Sequence, residues 1–169
     1  MKGMMWNRGW SAALVILLAS VASVGGQTPA PGPAAPAPAE PPKPVEVPVT
    51  PQVFNEVQRA LTEAIARFEA MDENGVMANV SDRYQSGPLT KPLVRQQLRA
   101  MFAANDAVRA RVQIREMRMI GDRLWVSSTG DVTGRVRFLG TPITLLAWSD
   151  AWDVAWREDG RWRLIGDRS

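Results

Sequence analysis

The chain has 169 residues, 46% of them hydrophobic and 22% charged, with a formal net charge of +3 and neither cysteine nor histidine. That composition excludes disulfides, thiolate metal sites, lipid attachment through a cysteine and histidine acid–base chemistry. Lys2 and Arg8 precede every acid, and without them eighteen basic side chains face seventeen acidic ones, a balance of +1.

Residues 1–26 read as a secretory signal. Lys2 and Arg8 supply the positive start, and Ala12 to Val24 is an apolar run of thirteen. That run is short of the ~20 residues that span a bilayer. Ser20-Val21-Ala22 or Val24-Gly25-Gly26 offers the small residues a signal peptidase cuts after. An uncleaved N-terminal anchor is the alternative. The expected location is periplasmic or extracellular, or the inner membrane if the leader stays. Residues 27–50 read as a disordered Pro/Ala linker, since ten of the thirteen prolines fall between Gln27 and Pro51. Proline cannot supply a ladder of donors, so the segment suits a polyproline spacer of up to ~75 Å.

Residues 51–169 read as one folded domain. Thr50 suits a helix cap and Pro51 a first helical position. Phe54, Val57, Leu61, Ile65 and Phe68 then recur at helical spacing, and Asn74-Gly75 is the expected stop. A short helical piece over 76–80, an extended segment over 82–85 and a turn at Ser86-Gly87-Pro88 follow. Thr90 is the expected cap of the next helix, whose buried stripe is Val94, Leu98, Met101 and Phe102, and which closes at Asn105-Asp106.

From Arg109 the apolar period changes to two. Its phase slips between Ile114 and Met117, which predicts a bulge near Arg115-Glu116. Gly121-Asp122, Gly140-Thr141-Pro142 and Asp159-Gly160 punctuate the rest, giving strands over 123–138, 143–157 and 161–166. Helices followed by an antiparallel meander imply an α+β fold, with the helices covering the concave face of a curved sheet.

That order resembles the nuclear transport factor 2-like superfamily, the cone shared by ketosteroid isomerases and SnoaL-like cyclases. Three stretches carry the resemblance: Glu73 to Tyr84, Thr90 to Phe102, and the closing hairpin Asp153 to Ile165, with Trp162 after its Asp-Gly turn. The family implies a cystatin-like cone and a homodimer through the convex sheet face. Gly166 and Arg168 stand where many relatives carry histidines, and the ketosteroid isomerase acid pattern is not recognisable. No catalytic residue is carried over.

The strand over 143–157 is the place to look for chemistry. Trp148, Asp150, Trp152, Val154 and Trp156 share one face by alternation, assigned here to the concave side. Ile143, Leu145, Ala147, Ala151 and Ala155 take the convex side, suited to dimer packing. Trp148, Trp152, Asp150 and Tyr84 are the expected ligand-pocket residues. Three readings fit Asp150: exposure at a bulge, a bond to an arginine or indole N–H, or a pocket acid with raised pKa. Trp162 is expected to pack the closing hairpin.

Arg109, Arg111, Arg115 and Arg118 are the nearest approach to a basic face, and the scatter of acids among the arginines excludes a nucleic-acid partner. No metal or cofactor is expected. The function expected is an exported, non-catalytic module for a small apolar ligand or a protein partner. One alternative is a cofactor-free isomerase, cyclase or hydratase using Asp150 as base with Tyr84 or Asp131. The other is a purely structural dimerisation domain.

Overall fold

A computed structural model describes residues 46–166. The leader, the linker up to residue 45 and residues 167–169, Arg168 among them, lie outside the described residues. Among the described residues no helix is long and apolar enough to cross a membrane.

The first element is β1, Glu46–Val47, paired antiparallel with Ile120 and Met119. Its two residues fall in the expected linker, so the sheet takes up the end of that segment. Helix α1 spans Pro51–Glu69. Thr50 is extended and its side chain accepts a bond from the Val53 N–H at 3.3 Å, with Pro51 at the start as expected.

The stop comes earlier than Asn74-Gly75. Met71 takes a left-handed φ of 55°. Its N–H reaches the Phe68 carbonyl while the Asp72 N–H reaches Arg67, the paired bonds of a Schellman end. Asp72 then caps α2, Glu73–Met77, by accepting from the Gly75 N–H at 2.9 Å. A Cβ on Gly75 would overlap the Asp72 carboxylate. The glycine thus seats a cap and does not end a helix.

Strands β2, Gln85–Ser86, and β3, Leu89–Thr90, make a small hairpin leading into α3, Lys91–Ala104. Thr90 stands at the cap position without a side-chain cap bond. Glu73 on α2 receives Arg95 at 2.7 Å and Arg99 at 2.6 Å, fastening α2 to α3. Chain direction changes at once: buried Asn105 is extended, and its amide donates to the Met101 carbonyl at 2.8 Å.

Strand β4 therefore begins at Asn105, four residues before the expected Arg109, and runs to Ile120. β5 spans Arg123–Val136, β6 Pro142–Glu158 and β7 Arg161–Leu164. The sheet order is β1-β4-β5-β6-β7, with antiparallel neighbours throughout. The bulge expected near Arg115 lies between Ile114 and Glu116. Beyond β7, Val80 makes a parallel bridge to Leu164. The core gathers Phe68, Met77, Val80, Tyr84, Leu98 and Val132, among others, between the helices and the sheet.

A second bulge changes the reading of β6. Ser128 pairs with Ala151, but Gly130 pairs with Trp148, so β6 carries one extra residue across Ser149-Asp150. Asp150 absorbs it at a φ of 52°. An odd residue inverts every side chain after it. Directly paired residues share a face, and Ser128, Val126 and Leu124 line the helix side. Ala151, Asp153 and Ala155 therefore point under the helices, and Trp152, Val154 and Trp156 point to the outer face. Only Trp148 of the expected concave tryptophans faces inward, where it packs against the core.

The expected convex strip is likewise redistributed. Leu145 packs on the core, and Ile143 pairs with Gly134, which pairs with buried Val108. Ala147 alone of those five stands on the outer face. Trp152 and Trp156 occupy that face instead, each under an arginine: Arg118 lies 5.3 Å from the Trp152 ring centre and Arg83 5.2 Å from that of Trp156.

Trp148 needs a bare backbone opposite. A Cβ on Gly130 would overlap its ring and the Arg111 carbonyl oxygen. Overpacking of this kind costs about 1–3 kcal/mol. Gly130→Ala is expected to lower the melting temperature by about 5 °C or more, measured by calorimetry.

Candidate functional site

The N-terminal half of α1 does not close fully onto the sheet. Phe54 is 40% exposed, and Val57 and Leu61 from the same stripe are only partly covered, whereas Ala64 and Phe68 farther along are buried. A cleft of about 80 Å³ opens beneath that half. Its helix wall is Val57, Ala60, Leu61 and Ala64. Its sheet wall is Val112 and Ile114 of β4, Leu124 and Val126 of β5, Ala155 of β6 and Leu164 of β7. Several times the ~10–15 Å³ of a single water is available.

Polar groups enter this apolar space at few points. Ser128 and Asp153 lie on its floor, both essentially inaccessible to solvent, and Asn79 and Arg163 complete the lining. Trp148 reaches the floor indirectly, its indole N–H donating to the Ser128 hydroxyl at 3.1 Å. Trp162 lines the mouth.

Trp162 is fixed by α1. Its indole N–H donates to Glu56 Oε2 at 3.3 Å, and Arg157 reaches the same oxygen at 3.2 Å while lying 5.8 Å over the Trp162 ring. Glu56 thereby ties the helix to the closing hairpin across the cleft. Its carboxyl sits below the ordinary range. The bond from Gln52 is the largest cause, and those from Trp162 and the charge of Arg157 add to it against partial burial.

The residues expected to form the site are not brought together. Asp150 is exposed, beside Arg115 at 3.9 Å, with its carboxylate accepting from Ser149. It stands exposed at the bulge with an arginine beside it, which joins the first two of its three readings. Asp131 faces outward on β5 and pairs with Arg111 at 3.3 Å. Tyr84 is buried within the core cluster. Trp152 lies on the opposite face from the cleft. The acid among apolar walls is Asp153, three residues on from Asp150.

A second cluster sits at the edge of the cleft and shares Arg163 with its lining. Glu158 accepts from Ser81 at 2.7 Å, Trp156 at 2.8 Å and Arg163 at 3.2 Å. These bonds, that of Ser81 first, hold its carboxyl below its usual range. The cluster joins the outer face of β6 to the Ser81 turn, a fastening rather than an open site. Among the described residues no group of three or more carboxylates is close enough to hold a metal ion.

By sequence the chain matches no family model and no curated protein. By structure it is similar to a conserved protein from Planctomyces limnophilus, at 12% identity and TM-score 0.59 over 67% of this chain and 91% of that one. It is similar to a nuclear transport factor 2-like family protein from Streptomyces avermitilis, provisionally named a dehydratase, at 14% identity and TM-score 0.53 over 67% and 92%. A ketosteroid isomerase-like protein from Erwinia carotovora atroseptica is similar at 15% identity and TM-score 0.52 over 69% and 94%.

Glu56 has a lowered pKa, so its stabilising bonds are complete above its ordinary value of 4.5 and are lost as pH falls through the lowered one. The stability gap between wild type and Glu56→Gln, from urea titrations at stepped pH, is expected to be widest above pH 4.5 and to close below it. Asp150→Gly suits the left-handed backbone, and is expected to change stability by less than about 0.5 kcal/mol in the same titrations.

Inward helices, an antiparallel sheet closed by the Trp162 hairpin and these structural similarities together place the chain in the nuclear transport factor 2-like fold.

Proposed function

We propose that the domain binds a small, mainly apolar ligand in the α1 cleft, as a non-catalytic module of an exported protein. The observation that carries this reading is the cleft itself. Apolar walls from α1, β4 and β5 surround a floor with only two buried polar side chains, Ser128 and Asp153. Apolar surface gives affinity in such a space, and a few fixed polar groups give orientation. A core built for stability alone would gain from closing α1 onto the sheet. Homodimerisation through the outer face stays part of this reading, now across Trp152, Trp156 and their arginines rather than across alanines.

A second reading rests on Asp153. A carboxylate among apolar walls is the kind of group that moves protons without a cofactor, and two proteins of similar structure carry dehydratase and isomerase-like names. This reading is a cofactor-free isomerase, cyclase or hydratase with Asp153 in place of Asp150.

Ala60→Trp on the helix wall is expected to fill the cleft and keep the fold. A panel of small apolar carboxylic acids and alcohols is screened by thermal shift and by isothermal titration calorimetry. Wild type is expected to respond to part of the panel, and Ala60→Trp to lose affinity at least tenfold. A panel without response, or one that binds both proteins equally, removes the cleft as a binding site. Asp153→Asn distinguishes the two readings: retained binding supports the module, and turnover of a bound compound that stops in this variant supports the enzyme.

A further inference from the structure

The tip of the β5–β6 hairpin carries the two most exposed large apolar side chains among the described residues, Phe138 and Leu139. Phe138 is 104% exposed and Leu139 66%. Phe138 also takes a left-handed φ of 73°, a conformation that favours glycine or asparagine over an aromatic residue. The turn closes through its backbone: the Leu139 and Gly140 N–H groups both reach the Val136 carbonyl at 3.3 Å, and the Arg137 N–H reaches Ala104 at 3.0 Å. The phenyl ring and the leucine thus contribute nothing visible to the turn, while their exposure and the Phe138 backbone both cost free energy.

Along the hairpin sequence the charge is one-sided, with a single acid, Asp106 of β4, met at its base. From Val132 to Ser149 the sequence contains no acid, and it contains Arg135 and Arg137. Both are exposed, and Arg137 reaches Asp106 at the base of the hairpin at 3.4 Å. An apolar point thus stands beside two exposed arginines. A hairpin tip of this size offers far less than the ~1,000 Å² that a stable protein interface buries. A bilayer asks for less: apolar side chains at the acyl boundary and cations at the headgroups.

We propose that the β5–β6 tip docks the domain reversibly on an anionic bilayer surface, with Phe138 and Leu139 entering the headgroup region and Arg135 and Arg137 meeting acidic phospholipid. The site is separate from the α1 cleft and does not rest on the ligand reading.

The absence of cysteine allows a position-specific test on the full chain. Leu139→Cys is labelled with an environment-sensitive dye and titrated with vesicles of equimolar phosphatidylcholine and phosphatidylglycerol. Asp122→Cys, in the turn at the far end of β4 and β5, serves as control. A blue shift and brightening at position 139 alone is expected, so that a contribution from the apolar leader is not mistaken for the tip. Adding Phe138→Gly is expected to weaken the response about tenfold. The melting temperature should stay unchanged or rise, because glycine suits that backbone. Arg135→Gln is expected to weaken it about fivefold on the anionic vesicles and not on phosphatidylcholine alone. No change at position 139, equal changes at 139 and 122, or a concentration-dependent change without lipid would each overturn the proposal, the last in favour of a second copy of the chain.

Discussion

One extra residue in β6 decides what this molecule keeps inside. Across Ser149-Asp150 the strand advances three residues while β5 advances two. Before that point Trp148 faces the core, and after it Ala151, Asp153 and Ala155 do. Had the alternation continued unbroken, Trp152 and Trp156 would stand under α1, and their rings would fill the space that is now a cleft. The small side chain of Ala155 leaves that space open, and Asp153 gives it a polar floor. The bulge is therefore the structural cause of the cleft, and Asp150 serves it through its backbone rather than its carboxylate.

The consequence on the other face is that two tryptophans must live at the surface. Large aromatic rings are usually buried, and the chain meets that difficulty with arginine. Arg118 covers Trp152 and Arg83 covers Trp156. A guanidinium plane over a ring shields apolar area while keeping its own charge in water. Trp156 also donates to Glu158, which Ser81 and Arg163 share. The arginine scatter noticed in the sequence thus has a structural use. Many of these residues pair across strands or cover rings, and this explains a basic composition without a basic face.

The legible parts of the chain are those where one local rule decides. Thr50-Pro51 opened α1, the phase slip at Arg115 marked a true bulge, and Asp159-Gly160 turned the closing hairpin. The illegible parts are contests between two rules. Asn74-Gly75 looks like a helix stop, but Asp72 offered a better cap and the glycine gave it room. At Asp150 the contest was sharper. The pattern Trp148, Asp150, Trp152 fits one face of a regular strand, and the preference of tryptophan for the interior supports that face. The competing phase requires alanines and a buried acid inside, which hydrophobicity ranks lower. Register against β5 overruled it, and register is a non-local property that no single strand displays. The tip at Phe138 lay hidden for a similar reason: its letters read as the end of a strand, and only the backbone angle shows that the side chain is spare.

Asp153 bears on how far the cleft is a by-product of folding. Placing a carboxylate on the floor of an apolar space costs several kcal/mol before its interactions offset it, and an apolar residue of similar volume commonly serves stability as well or better. The neighbouring alternation would have admitted one, since Ala151 and Ala155 on the same face are already apolar. Ser128 beside it is equally buried, and its hydroxyl takes the Trp148 indole proton. Cleft and acid are thus two departures from the most stable core at one place. A fold selected for packing alone would remove both together, by a larger residue at Ala155 and an aliphatic one at Asp153. Their joint presence, under the one stretch of α1 that stands off the sheet, is the ground on which the proposed ligand reading rests.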